Sequence, residues 1–430
     1  MSKFQIVFIA LFVLFILGGL TAFALFKGDA SQQALAKITM WGTVPNETFV
    51  GYINTINASL KQPIDISYVE IEPADFDNRF IQALARGEGP DAVLLPLEMM
   101  LKHEDKLLPI PYDTISVRDY MNTFVEESEL YLGNDGALGF PLIIDPLVMY
   151  WNRDLFRSAS IATPPVTWGD FDTIIPKLTK KDLASNIQKS TIALGEYRNL
   201  TNAREVLSTI FFQAGNPITQ RSGPEVISLL GRGGQPGLED SVVALDFFTS
   251  YTNPTAPEYS WNRSLPESRS FFMAGKLATY FGFASEIRDI QDKNPNLNFD
   301  VAPFPQRVKA DVRTTYGKMY GMSIVKQSQY PNDAYSVMQQ LISAESLAQL
   351  QNITYLPPVR RDLIAQGTSD PFLSIFYDSA LISQGWLDPD SFSTDSLFQA
   401  VTEAVTSGLL STRDALRKGQ GQLEILLGSR

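Results

Sequence analysis

The stretch from Gly136 to Phe156, GALGFPLIIDPLVMYWNRDLF, constrains this chain more than any other. Its core, Phe140 to Trp151, is almost wholly apolar, which is the pattern of a strand buried on both faces. One carboxylate, Asp145, interrupts it. An unpaired buried carboxylate is costly, so Asp145 is expected where the strand emerges into a cleft. The alternative is an Asp that ends the strand and caps a turn with Pro146.

The 430 residues, 44% of them hydrophobic, can fill two cores of ordinary domain size. Lys and Arg number 35 against 47 Asp and Glu, a net charge of −12, and no basic block stands out. Nucleic acid needs a basic footprint and is excluded as a partner. With no cysteine there is no disulfide, thiolate metal site, thiol nucleophile or lipid-bearing cysteine anchor. The one histidine, His103, excludes a His-rich metal centre; in the run Lys102-His103-Glu104-Asp105-Lys106 it reads as a solvated surface residue. No GxSxG, HExxH or Walker loop occurs, so no catalytic residue, metal ligand or cofactor is expected. The rival enzyme class is a glycosidase, which needs two carboxylates about 5–10 Å apart across the scissile bond.

Phe4 to Phe26 comprises 23 residues with only Gln5 and Thr21 polar, long enough to span a bilayer. A cleavable signal peptide has an apolar stretch of roughly 7–15 residues. The length favours an uncleaved transmembrane anchor over residues 1–27 with a tether over 28–36. Ala22-Phe23-Ala24 is a small-residue cleavage pattern and leaves a secreted form open. Lys3 precedes the span, while Lys27 and Asp29 offset each other beyond it, which places the body outside the cytoplasm.

Past the tether the pattern predicts strand 36–41, helix 47–60, strand 64–71, helix 74–86 and strand 92–95. That rhythm implies crossover units on a parallel sheet, with ligands beyond the carboxyl ends of the strands. Those ends are Trp41-Gly42-Thr43 and Leu95-Pro96-Leu97. A second α/β pattern follows Asp145. It has a helix capped by Thr167, a strand over 190–194, a helix over 205–214 and a Gly-rich surface loop over 221–238. Strands over 277–283, 299–302 and 320–325 come next, then helices over 331–350, 371–383, 390–407 and 412–427.

At these residues the chain resembles the family 1 extracellular solute-binding proteins, the sugar-binding group related to maltose-binding protein. The motifs run in the family's order: ITMWGT (38–43), GEGPDAVLLP (87–96), the 136–156 stretch, PPVTWGDF (164–171), FFMAGKLATYFGFAS (271–285), VAPFP (301–305), GKMYGMSIVKQS (317–328), PNDAYSVMQQLISAES (331–346) and YLPPVRRDLI (355–364). The resemblance implies a type II periplasmic-binding-protein-like clamshell of two α/β lobes. Lobe one would hold 37–143 and 304–345, and lobe two 146–301 and 346–430. The crossings would fall near Ile144-Asp145, Ala302-Pro303 and Ala344-Glu345. It further implies a non-catalytic binder that passes a small solute, a sugar or oligosaccharide, to an ABC-type permease. An anchored sensor or adhesion protein without transport is the other reading.

Sugars present hydroxyl edges and apolar faces, so carboxylates and aromatic rings are the side chains to seek. Trp41 and Thr43 follow the first strand. By resemblance, Asp145 matches a ligand-binding carboxylate, and Glu196 lies in a loop pointed at the cleft. Trp261 stands in an irregular, Pro-bounded region as a stacking candidate. Phe283 sits beside Ala284, where many relatives carry Trp. Tyr316, Met319 and Tyr320 match a ligand-facing loop, and Tyr355 precedes Leu356-Pro357-Pro358. Ordinary core packing is the competing role for each aromatic.

Overall fold

The computed structural model describes residues 36–60, 63–231, 241–309 and 312–428. The expected anchor (1–27) and all but the last residue of the tether lie outside the described residues. Among the described residues no helix is long and apolar enough to cross a membrane.

Twelve strands are described: β1 (Ile38–Gly42), β2 (Ile66–Glu70), β3 (Ala92–Pro96), β4 (Phe140–Asn152), β5 (Lys180–Lys181), β6 (Ile187–Ile192), β7 (Thr219–Ser222), β8 (Glu225–Ser228), β9 (Leu277–Phe283), β10 (Phe299–Pro303), β11 (Thr315–Ile324) and β12 (Ser383–Gln384). The main sheet runs β2-β1-β3-β11-β4-β9-β6-β5, with β10 on β4 and β12 on β11. The apolar 140–151 stretch is β4, and all of its residues are buried. From Phe140 to Pro146 it pairs with β11; from Leu147 onward it pairs with β9 and, from Val148, with β10. One long strand thus serves two half-sheets, and the partners change beside Asp145. β10 and β11 lie end to end along the same edge of β4, so residues 304–314 cross between the halves as well.

The first half-sheet is built as the pattern predicts, with β1 parallel to both β2 and β3. The helix Pro73–Arg86 shows why these elements form. Pro73 sits in its first turn, Phe76, Phe80 and Ala83 bury one face, and Gly87 at φ 70° ends it in the left-handed conformation. At the second lobe's entrance Thr167 and Asp170 form a reciprocal capping box.

The structure corrects several expectations. The predicted 331–350 helix is two, Pro331–Leu341 and Ala344–Thr354, because Ser343 turns the chain and its hydroxyl accepts the Ser346 N–H at 3.2 Å. The second of them packs on helix Asn46–Asn57. Arg361 donates to the Phe124 carbonyl at 2.7 Å, whereas helix Pro371–Leu381 packs on β4 and β10. Residues 221–228 of the expected 221–238 loop belong instead to the β7–β8 hairpin, which begins at Thr219; 232–240 lie outside the described residues. β11 begins at Thr315 rather than at Tyr320. His103 is fully buried, not solvated: it ends helix Leu97–His103, its Nε2 lies 2.8 Å from Asp77 Oδ1, and its ring packs near Phe76 and Phe80.

Candidate functional site

Between the half-sheets lies a cavity of about 530 Å³. Its lobe-one wall comes from the helix after β2 and the short helix Leu97–His103 after β3, through Asp77, Glu98 and Lys102. Its other wall comes from Arg204 and Glu205, which open helix Ala203–Gln213, and from Asp390 to Phe392 at the start of helix Ser391–Thr406. Helix starts following strands are where such sheets hold ligands.

Arg204 is at the centre. Its Nη1 donates to Asp388 Oδ2 and to the Ser391 carbonyl, both at 3.2 Å, and its Nη2 reaches Glu205 at 2.9 Å and Glu98 Oε1 at 3.5 Å. Burial alone would lower its pKa; the charges of Glu205, Tyr316, Asp388 and Glu98 outweigh it and keep the guanidinium charged. Asp388 is wholly buried and is pushed up to about 7 by that burial, against the pull of Arg204 and the Thr394 hydroxyl. Glu98 is 5% exposed, and while Oε1 takes the Arg204 and Tyr316 donors, Oε2 is buried without a partner. On the rim, Lys102 bridges Asp77 and Asp390 at 2.5 Å each, tying one lobe to the other. Arg221 of β7 reaches Glu104 at 2.9 Å in the same sense.

Outside the cavity's lining, register places Lys318 of β11 directly across from Asp145 of β4. Burial acts to lower the Lys318 pKa, but Tyr320, Glu98, Glu205 and Asp145 outweigh it. Asp145 is 6% exposed, accepts the Ser285 N–H at 3.0 Å, and is pushed up to about 6 by burial. It lies inside the strand, so its reading as a strand-ending turn cap is set aside. Tyr316 and Tyr320 share its side of β11 by the two-residue period; Tyr316 is buried between Phe212 and Phe283, and Tyr320 is half-buried.

The other sequence candidates separate. Thr43 is half-buried with its Oγ1 sealed and unpartnered. Trp41 is half-buried on β1 with the Arg79 guanidinium 5.9 Å from its ring. Met319 is fully buried in the sheet core. Phe283 is buried, and its N–H is taken by Glu286 at 2.9 Å. Trp261, expected as a stacking platform, has no exposed surface: it packs on Phe271 and donates to Asn199 at 2.9 Å, so its ring belongs to the core. Glu196 is held by Arg263 at 3.2 Å. Tyr355 donates to Asp370 at 2.6 Å under the Arg288 guanidinium. Sequence reasoning did not single out Glu98, Arg204 or Asp388, whereas Lys318 stood within the stretch 316–320 matched to a ligand-facing loop.

A two-lobed α/β binding protein with its site in the interlobe cleft is the class that this fold and geometry define. The chain belongs to the bacterial extracellular solute-binding proteins, whose family model matches residues 52–372. That family, and the structures similar to this one, are solute-binding proteins and not enzymes. A binding protein of Brucella abortus is 24% identical over 247 residues, 55% of this chain and 54% of its own. The maltodextrin-binding protein of Bacillus subtilis is 24% identical over 304 residues, 67% and 64%. The chain thus spans about half the length of the Brucella relative and less than two thirds of the Bacillus one. In fold it is similar to a cyclic alpha-maltosyl-1,6-maltose binding protein from Arthrobacter globiformis, with TM-score 0.73 and 14% identity over 92% of this chain and all of the other. A cyclo/maltodextrin-binding protein complexed with maltotetraose gives 0.71 and 18% over 90% and 96%.

Proposed function

We propose that this protein captures a sugar or oligosaccharide in the cleft between Glu98 and Arg204 and delivers it to an ABC-type permease from the outer face of the membrane. The observation that carries the reading is Glu98, whose side chain lines the interlobe cavity and whose Oε2 is buried with nothing to accept from. A solute hydroxyl would supply the missing donor. Family membership and the maltodextrin-binding relatives support a saccharide as that solute. Lobe one would comprise about 37–143 with 304–365, and lobe two the rest of the body. Thr43, Glu98, Asp145, Arg204, Lys318 and Tyr320 are the residues assigned to the ligand.

Mechanistically, a solute that touches both walls favours the shut form by its differential affinity for it. The Arg204–Glu98 and Lys102–Asp390 contacts exist only when the walls meet, so closure also completes the site. Anchoring through residues 4–26 would keep the loaded protein near the permease; release by cleavage would give a diffusing carrier. Calorimetry on the full chain in detergent with neutral di- and oligosaccharides should show one saturable site. A folded protein that binds none of them would refute the reading. Co-purification of permease subunits tests delivery separately from capture.

A further inference from the structure

Hydrogen-bonding capacity in the cleft is one-sided. Seven charged side chains line the cavity, five of them carboxylates (Asp77, Glu98, Glu205, Asp390, Asp395) and two cations (Lys102, Arg204). Both cations are already engaged. Arg204 meets Glu98, Glu205, Asp388 and the Ser391 carbonyl, and Lys102 meets Asp77 and Asp390. Lys318 is outside the cavity's lining; it stands across from Asp145 with Tyr320, Glu98 and Glu205 acting on it.

The open positions are acceptors. Glu98 Oε2 is buried without a partner. Behind it Glu127, 3% exposed, has neither oxygen bonded. A Cβ at Gly317 would come within 1.9 Å of Glu127 Oε2, and one at Gly385 within 2.6 Å of Oε1, so two glycines leave the space this carboxyl fills. Burial first, and then the charge of Glu98, push the Glu127 carboxyl up. A positive charge placed on Glu98 would relieve that repulsion as well as its own desolvation.

We propose that the solute carries a protonated amine, as an amino-sugar or amino-oligosaccharide does, and that its ammonium bonds Glu98 Oε2. The inference rests on the saccharide reading above and narrows it. It also has the cleft reject uronic-acid and phosphorylated sugars, because both cations that line the cavity are already engaged by carboxylates.

The test is calorimetry on the full chain near neutral pH with glucosamine oligomers, their N-acetylated counterparts and digalacturonate. A charge-assisted hydrogen bond in place of a neutral one predicts that the free amine binds about tenfold tighter than its acetylated form, and digalacturonate weaker than both. Glu98→Gln should shrink the amine-to-acetyl ratio to within about twofold, and Glu98→Asp, which keeps the charge, should preserve a preference. Acetylated oligomers binding as tightly as the amines, or digalacturonate binding as well as either, would overturn the inference and leave the saccharide reading standing. If no saccharide of the series binds, charged or neutral, both fall together.

Discussion

Trp261 and Arg204 both belong to lobe two, and the contrast between their surroundings shows what separates a core position from a binding position. Around Trp261 the polar groups close on one another: the indole donates to Asn199, whose amide in turn donates to the Asn262 and Leu265 carbonyls. Around Arg204 the groups are just as buried, yet the carboxylate it meets across the cleft keeps one oxygen free. Aromatic character alone therefore does not mark this site; incomplete polar satisfaction held between two lobes does.

Loss of stability is the largest effect expected at both positions. Arg204→Met should cost about 3–5 kcal/mol, because Asp388, Glu98 and Glu205 would lose the charge they face. Trp261→Ala should cost a comparable amount, about 3–5 kcal/mol, by opening a core cavity. Urea denaturation checks both, but only the first should abolish saccharide binding. The folded fraction of the Trp261 variant should keep its affinity within about twofold, and a large loss there would return the indole to the site. Glu98→Gln should weaken a bound saccharide by about tenfold in calorimetry, as expected for losing one charged acceptor.

Acidity gives a smaller, signed effect. Asp145 and Asp388 are raised to about 6 and about 7, so their stabilising contribution is complete below the ordinary Asp value of 3.8 and is lost as pH rises through those values. Asp77 runs the other way: its bond with His103 leads the causes that lower it to about 2, and its contribution is lost as pH falls from 3.8 toward that value. Thermal melts of the ligand-free protein should therefore decline between about pH 4 and 7 on account of the raised pair. Saccharide affinity should rise over the same interval as carboxylates become available to accept. A flat affinity profile would remove both groups from the site. Least affected of all, Lys102→Ala should change stability by about 1 kcal/mol or less, since its side chain is a third exposed and screened.

Much of the fold was legible because long apolar runs and capping residues act locally. The long apolar run of β4, the Pro73 start and Gly87 stop, and the Thr167–Asp170 box each formed as their residues dictate. What escaped depended on distant partners. His103 sits in a charged run, yet it is buried by Phe76 and Phe80 from another helix. At Ala344, where one helix had been expected to run on, Ser343 starts a second helix that packs back on Asn46–Asn57. Asp145 of β4 stands across from Lys318, which shares β11 with Tyr316 and Tyr320. Glu98 was missed although it interrupts DAVLLPLEMML as Asp145 interrupts its own run. The rule that singled out Asp145 applied to it equally. Arg204 had no such signal, since the carboxylates that hold it come from Glu98 and from Asp388, far along the chain in either direction.

The central claim, that a saccharide is held where the two walls meet, is tested most directly by measuring the distance across the cleft. The chain has no cysteine, so Asp75→Cys and Ser396→Cys, both at exposed positions flanking the cavity, accept a pair of spin labels without background. Saturating saccharide should collapse the distance distribution onto its shortest component. A distribution that stays unchanged while calorimetry shows the site filled would contradict the account.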